Sequence, residues 1–335
     1  MSTAVAPVAP VRRPRIALPG TVGFVLTRLG VGVLTLWVVS LLIFFGIEAL
    51  PGDAATASLG SSATPELLAQ YRADFGLDQP AIERYGEWLG GLLHGDLGRS
   101  FPSGTPVSDL IADRIGYTAT LAGITLLVLV PVGIVLGVWS GTREASATDR
   151  TVSAATLVLA AIPEFVLAAI VLLVLAVWWP VFPSVSIIDT LRPLGQQLSV
   201  MVLPALTLVC AGAAQTSRMV RACMIDVLRQ PYITMARLKG VSERRVLWQH
   251  ALPNALGPTL QIVALNVGWL FGGVVVVEAV FEFPGVGRAL TQAVTTQDVA
   301  TVQSLALLIT TVFLVASILA DIAAAFLNPK IRRTL

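Results

Sequence analysis

Charged residues are scarce in this chain of 335 residues. They account for 13% of it, whereas hydrophobic residues account for 55% and the mean hydropathy is +0.81. A soluble domain carries about 25% charged residues. The chain could fill several soluble cores but lacks the polar residues to cover them, so its composition excludes an ordinary soluble protein and predicts a polytopic membrane protein.

Motifs that would let the chain perform chemistry by itself are also missing. No G-x-x-x-x-G-K-[ST] sequence occurs, which excludes ATP binding through a P-loop. The two histidines, His94 and His250, and the two cysteines, Cys210 and Cys223, lack metal-site spacing, and neither H-E-x-x-H nor G-x-S-x-G is present. We expect a transport protein without a cofactor or metal of its own, driven by a partner or by an ion.

Six apolar stretches reach the length of about 20 residues that a membrane-spanning helix needs. They are Leu29–Ile47, Tyr117–Gly141, Val152–Trp179, Ser199–Ser217, Pro258–Val277 and Val302–Ala320. Sixteen of the 22 lysines and arginines lie before the first stretch, after the second and fourth, and after the sixth. Because basic residues mark the cytosolic side, we predict an all-α polytopic membrane protein with six transmembrane helices and both termini in the cytosol.

The same pattern divides the chain into five regions. Residues 1–23 are predicted to be a disordered cytosolic tail, 24–50 the first transmembrane helix and 51–116 an extracytoplasmic helical insert between helices 1 and 2. A transmembrane domain follows over 114–327, with a cytosolic loop at 218–257, and a cytosolic tail covers 328–335.

Two helices are predicted in the acid-rich insert. Thr64-Pro65-Glu66 is a typical helix start, and that helix is expected to end at Gly76. A second helix runs from Pro80 to Leu93, with Gly95 as its stop. The insert is either a folded cap on the external mouth or a platform for a soluble partner.

Three acidic residues lie within or beside the predicted spans. An ionisable side chain costs about 2.5–3.5 kcal/mol at the centre of a membrane helix, so Glu164, next to Pro163, should face protein or a water-filled path. Glu278, at the outer end of the fifth span, fits a structural turn or a ligand contact. Asp321, near the inner end of the sixth, fits helix packing or a role in the pathway.

The most charged loop, Gln230–Pro253, has the signals of a helix–turn–helix unit. Pro231 can open a short helix that ends at Gly240, the residue best able to adopt a left-handed cap. Ser242 is a good N-cap for the next helix, and Glu243 favours the N-terminal end of its dipole. The residues alone leave open a basic amphipathic segment that binds anionic lipid.

The spacing within this loop resembles that of the EAA loop of ABC-importer permeases. Ala236 is followed after three residues by Gly240, and after nine more by His250-Ala251-Leu252-Pro253; the run YITMARLKGVSERRVLWQHALPNALGP is similar to the peptide/nickel branch. The chain departs from the family at Thr234-Met235, where the family has Glu-Ala, and at His250, where it has Ile. The glycine of the turn is present.

Other segments extend the resemblance over about residues 24–333. The insert is similar to that of the B-type subunit. The matching segments are Leu50-Pro51-Gly52-Asp53, Phe75-Gly76-Leu77-Asp78-Gln79-Pro80, Arg84-Tyr85, Trp88-Leu89, Gly95-Asp96-Leu97-Gly98-Arg99-Ser100-Phe101, Glu278-Ala279-Val280-Phe281, Pro284-Gly285-Val286-Gly287 and Asn328-Pro329-Lys330-Ile331-Arg332.

The resemblance implies an importer of di- or oligopeptides in the bacterial plasma membrane, working by alternating access. Its partners would be a homologous second permease, two ATPase subunits that hold ATP and magnesium, an extracytoplasmic binding protein and the lipid bilayer, but no nucleic acid. Alternatives are a nickel or glutathione importer, an ion-coupled secondary carrier that uses Glu164 and Asp321 as a relay, and a membrane scaffold or receptor.

The resemblance assigns two groups of site residues, the acidic residues in and beside the spans make a third, and none of them is catalytic. The ATPase-coupling group is Tyr232, Ala236, Lys239, Gly240, Glu243, Arg244 and Pro253. Candidates for the translocation pathway are Glu164, Glu278 and Asp321. Candidates for docking the binding protein are insert residues such as Asp78, Arg84, Trp88 and Asp96.

Overall fold

The computed structural model describes residues 20–49, 64–74, 76–189 and 193–327, and these residues form helices and connecting turns. The main helices, in chain order, are α1 (Gly20–Glu48), α2 (Pro65–Asp74), α3 (Ala81–Leu93), α4 (Val107–Gly141), α5 (Ala147–Ala161), α6 (Glu164–Leu172), α7 (Leu198–Leu228), α8 (Pro231–Leu238), α9 (Leu252–Val280), α10 (Val286–Thr295) and α11 (Val299–Leu327). The all-α prediction is confirmed for this part of the chain.

Several predictions fall on residues outside these ranges. They concern residues 1–19 of the N-terminal tail, the segment Leu50-Pro51-Gly52-Asp53, Phe75, and the closing motif in the tail 328–335. Helix α1 begins at Gly20, earlier than the predicted start at residue 24. Helix α4 runs through residues 114–116 without a break, so no helix end marks the predicted boundary between insert and transmembrane domain.

Among the residues that the structure describes, four helices are long and apolar enough to cross a membrane. These segments are Gly23–Glu48, Val107–Gly141, Leu198–Leu228 and Val299–Leu319, and the pair α5 and α6 makes a fifth candidate if it counts as one span. In α9, the apolar segment is the shorter Gly268–Val280. A polytopic membrane protein is therefore confirmed, whereas the predicted total of six spans is not.

The predicted third span is not a continuous helix. Helix α5 ends at Ala161, and α6 starts at Glu164 at an angle of 107° to it, then continues into a π-helical turn, Leu173–Trp178. Pro163 has no backbone N–H, and it pushes the preceding Ile162 into an extended conformation with φ −79° and ψ 125°. Glu164 consequently stands at a bend and not in the middle of a straight helix.

A stripe of glycines brings α4 and α7 into close contact. If Gly133 were alanine, its Cβ would lie 2.6 Å from the Cβ of Thr216, and a Cβ on Gly137 would lie 2.5 Å from the Cβ of Val220. Gly141 continues the stripe one turn further. Small residues at a four-residue spacing allow such an approach between membrane helices, and this pattern was missed in the sequence.

The main core lies where α4, α6, α7 and α9 meet. Its fully buried side chains include Leu121, Leu208, Leu270, Phe281 and Phe283. Helix α11 packs against α1, where Gly32 faces the side chains of Leu314 and Ile318. The core thus joins the bend before α6 to α7 and α9, the helices on both sides of the charged loop.

The insert follows its predicted local structure. Thr64 Oγ1 accepts a hydrogen bond from Leu67 N at 3.3 Å, which makes Thr64 the cap of α2. Gly76, with φ +61°, and Gly95, with φ +84°, follow the ends of α2 and α3 in the left-handed conformation. The predicted start and stop signals are therefore confirmed.

Aromatic packing attaches the insert to the first helix. Phe44 and Phe45 of α1 contact Tyr85 of α3, and Trp88 lies against Phe44. The hydroxyl of Tyr85 is 2.8 Å from that of Ser40, in a buried hydrogen bond. Helix α3 is thus fixed to the C-terminal half of α1.

Candidate functional site

Helix α8, in the loop predicted to be cytosolic, begins and ends as predicted. Pro231 occupies its first turn, where a missing N–H costs nothing. At its end, Gly240 has φ +78°; Val241 N donates to Ala236 O at 3.2 Å, and Gly240 N to Arg237 O at 2.9 Å. These two hydrogen bonds form a Schellman motif, which needs a left-handed residue at the position of Gly240.

An ion pair clamps the turn that Gly240 makes. The guanidinium of Arg237 donates to both carboxylate oxygens of Glu243, at 2.8 and 3.2 Å. Glu243, predicted to contact an ATPase, therefore also closes the turn within the chain. Ser242 takes the predicted N-cap position, but its side chain makes no capping hydrogen bond.

The inner face of α8 is anchored in the helix bundle. Ile233 is fully buried among Val220 and Met224 of α7, Val246 and Ala251. Movement of α8 must therefore act on α7 and, through the π-helical turn Val246–Ala251, on α9.

The opposite face of α8 carries exposed apolar side chains. Tyr232, Met235 and Leu238 recur every three residues, and Leu238 is 77% exposed. We call these three residues the docking face. An exposed apolar patch on a helix is typical of a surface that binds a protein partner or a membrane.

The remaining predicted coupling residues surround this face. Lys239 and Arg244 are exposed, Ala236 is half-buried below the turn, and Pro253 is exposed in the first turn of α9. Residues missed by the sequence reading are the anchor Ile233, the clamp residue Arg237, and the apolar Met235 and Leu238. Their spacing of three or four residues, which places residues on one face of a helix, could have identified them from the sequence.

Glu164 lies at the bend between α5 and α6, against α9. Its carboxylate lies close to the indole of Trp269. A Cβ on Gly273 would lie 2.8 Å from Glu164 Oε2, so this glycine makes room for the carboxylate. Glu164 is partly exposed, so its side chain is not enclosed by this chain alone.

Glu278 is fully buried and holds the start of α10. Its Oε1 accepts from Thr118 Oγ1 at 2.6 Å, and its Oε2 accepts from Gly287 N at 2.7 Å and Arg288 N at 3.3 Å. A Cβ on Gly285 would collide with this carboxylate. A carboxylate at a helix N-terminus is stabilised by the helix dipole, so this placement favours the structural alternative for Glu278.

Replacing Glu278 with alanine should destabilise the outer end of the bundle. The change leaves the backbone N–H groups of Gly287 and Arg288 without their buried acceptor, at a cost of about 3 kcal/mol. Thermal unfolding of the detergent-solubilised protein measures this, with the exposed Glu87→Ala as control. Equal melting temperatures for both variants would contradict the anchoring role.

Asp321 pairs with the first helix. Its Oδ2 lies 3.2 Å from Arg28 Nη2, and both side chains are partly exposed. Glu164, Glu278 and Asp321 have different partners and form no common site. Among the residues described, no three His, Cys, Asp or Glu side chains come together as a metal site would require.

The four predicted docking residues of the insert separate into two pairs. Arg84 forms an ion pair with Glu48 of α1, and Trp88 belongs to the aromatic contact with α1. Asp78 and Asp96 are exposed, and Asp96 Oδ1 accepts from Gly98 N at 2.9 Å. Only the two aspartates are thus placed on an open surface.

Comparison with known families gives two matches. Residues 133–333 match the family described as binding-protein-dependent transport system inner membrane component. Residues 21–122 match the family of the N-terminal part of such membrane components. Together the two matches cover most of the chain.

Individual relatives carry related names. A putative peptide transport system permease protein of Brucella abortus is 37% identical over 309 residues, which cover 92% of this chain and 98% of the relative. The dipeptide transport system permease protein of Escherichia coli K12 is 32% identical over 333 aligned positions, covering 92% and 98%. A probable peptide ABC transporter permease of Sinorhizobium fredii is 31% identical, covering 92% and 99%.

Proposed function

Because this chain belongs to the family of binding-protein-dependent transport system inner membrane components, we propose that it is the permease subunit of an ABC importer for di- or oligopeptides. It is a multi-pass protein of the bacterial plasma membrane. The observation that carries the proposal is helix α8, which exposes the docking face on one side and buries Ile233 in the bundle on the other.

In the proposed mechanism, the docking face enters a groove on an ATPase subunit. Closure of two ATPases with ATP and magnesium displaces α8, and Ile233 passes this displacement to α7 and α9. The pathway then alternates between inward- and outward-facing states. The proposal includes six spans, cytosolic termini, a homologous second permease, and a binding protein that docks on the insert.

The names of the relatives support peptides as the substrate over nickel or glutathione. Part of the selectivity would reside in the separate binding protein, which delivers the substrate to the exposed part of the insert. Identification of the ligand that copurifies with that binding protein distinguishes a peptide from a nickel complex or glutathione.

Reconstitution of the complete complex tests the proposal. Proteoliposomes that contain this chain, the second permease and the ATPases should take up labelled dipeptide only with ATP and the binding protein. Uptake by this chain alone, driven by a proton or sodium gradient, would identify an ion-coupled carrier. Unchanged peptide uptake in cells that lack the chain would favour a scaffold or receptor.

Glu164 is the proposed pathway residue because it combines a bend, partial exposure and a carboxylate. In the reconstituted complex, Glu164→Ala should lower peptide uptake by about tenfold, the equivalent of one charged hydrogen bond of about 1.5 kcal/mol. Assembly should be unchanged. Trp269→Phe is the companion variant, since it removes the indole N–H, together with part of a ring that packs in the core, and keeps the carboxylate. Normal uptake with a lower melting temperature would make Glu164 a packing residue.

A further inference from the structure

Two ion pairs connect the turn between α4 and α5 to the end of α7. Arg221 of α7 donates from Nε to Asp149 Oδ1 at 2.5 Å and from Nη2 to Asp149 Oδ2 at 2.8 Å. Two turns later, Arg229 Nη2 donates to Glu144 Oε1 at 2.6 Å. The segment from Glu144 to Asp149 is therefore bound at two positions, to Arg221 within α7 and to Arg229 just after it.

The Asp149–Arg221 pair is built into the first turn of α5. The Asp149 side chain is only 4% exposed, and its Oδ2 also accepts from Ala145 N at 2.9 Å. This bond stabilises Ala145 at φ +64°, a conformation that L residues rarely adopt. Ser146 accepts from Asp149 N at 3.2 Å. The two-pronged contact of a guanidinium with a carboxylate fixes orientation as well as distance.

The position of these pairs in the chain suggests their role. Arg229 is the C-cap residue that follows α7, and the next residue, Gln230, precedes α8. On the other side, α5 runs from Asp149 to the bend at Pro163 and thus to Glu164. Arg221 and Arg229 lie within and just after α7, which leads to α8. Their partners, Asp149 and Glu144, lie at or just before the start of α5, which leads to the bend. The two pairs are therefore a polar connection between these two parts of the chain.

We propose that the pairs Asp149–Arg221 and Glu144–Arg229 position α5 so that displacement of α8 changes the bend at Glu164. This inference rests on the proposed function, since it assumes that an ATPase moves α8. Asp149 and Glu144 are positioning residues, because they act through α5 and touch neither substrate nor ATPase. Without the pairs, α8 would still bind the ATPase, but less of its displacement would reach the bend, because only the packing of α6 against α7 and α9 would remain to transmit it.

A contribution to folding stability alone does not account for the exposed pair, Glu144–Arg229. The glycine stripe already holds α4 on α7, and a Cβ on Gly141 would lie 3.1 Å from Arg221 O. Both Glu144 and Arg229 are exposed, and exposed ion pairs contribute little to stability. The Glu144–Arg229 pair can thus be broken without loss of folding, which separates a role in coupling from one in assembly.

The test measures peptide taken up per ATP hydrolysed by the reconstituted complex. Glu144→Arg and Arg229→Glu should each lower this ratio by about threefold, in the range expected for an exposed pair. The double exchange, Glu144→Arg with Arg229→Glu, should restore it. The control is Glu282→Gln, which breaks the exposed Arg288–Glu282 pair at 3.3 Å on the outer side and should leave the ratio unchanged.

The buried pair, Asp149–Arg221, provides a second, independent test of the proposal. Asp149→Asn keeps the shape of the side chain and should lower the ratio by about tenfold while ATP hydrolysis continues. If Asp149→Asn fails to assemble, the Glu144 and Arg229 variants decide alone. An unchanged ratio in both single variants, or no recovery in the double exchange, overturns the inference. The wild-type complex is measured first, because a lack of ATP-dependent uptake there would contradict the proposed function and not this inference.

Discussion

Replacing Gly137 with valine should destabilise the helix bundle strongly. A Cβ at this position would lie 2.5 Å from the Cβ of Val220 and 2.6 Å from the backbone oxygen of Ser217. Such a contact with backbone cannot be relieved by rotation of a side chain, so α4 and α7 must separate. We expect a loss of about 3 kcal/mol, the upper part of the usual range for overpacked cores.

Gly123→Val in the same helix is the matched control, because nothing lies within 4 Å of a Cβ on Gly123. Both changes replace glycine with the same β-branched residue, so their effects on helix propensity are equal. The melting temperature of the solubilised Gly137→Val protein should be lower than that of Gly123→Val by about 5 °C or more. Equal melting temperatures and equal membrane yields would contradict the close packing of α4 on α7.

Replacing Gly240 with valine should uncouple peptide uptake from ATP hydrolysis. Gly240 has φ +78°, a conformation that costs L residues about 1–2 kcal/mol and is a genuine outlier for β-branched ones. Nothing lies within 4 Å of a Cβ at this position, so the cost arises from the backbone alone. The Schellman motif that ends α8 would open and the docking face would lose its fixed orientation.

Gly240→Asn is the matched control, because asparagine tolerates the left-handed conformation. In the reconstituted complex, we expect Gly240→Val to lower uptake about tenfold, which corresponds to about 1.4 kcal/mol, while ATP hydrolysis persists. Gly240→Asn should retain most of the uptake. If both variants transport equally well, the left-handed turn is not required for coupling.

Features specified by short segments could be predicted from the sequence. The starts of α2 and α8 and the turns at Gly76, Gly95 and Gly240 depend on proline, threonine and glycine acting within a few residues. The apolar runs and the scarcity of charge identified a polytopic helical membrane protein for the same reason, since each run is a property of contiguous residues.

Features that depend on distant residues could not be predicted in this way. Pro163 signalled a possible kink, but the angle of 107° depends on how α5 and α6 pack against α7 and α9. Glu278 looked like a possible ligand contact until Thr118, 160 positions earlier in the chain, was seen to bind it. Arg84 and Trp88 looked available for a partner, yet both are held by α1.

The sequence by itself determined the class of protein, the positions of most helices, and a helix ending at Gly240 in the basic loop. Its hydropathy and its turn residues act locally, so they can be read without knowledge of the fold. Only the tertiary structure decided which face of α8 is anchored and which is free, and that Asp149 binds Arg221, 72 positions away. Such contacts arise when helices pack, because burial and charge pairing are properties of neighbours in space.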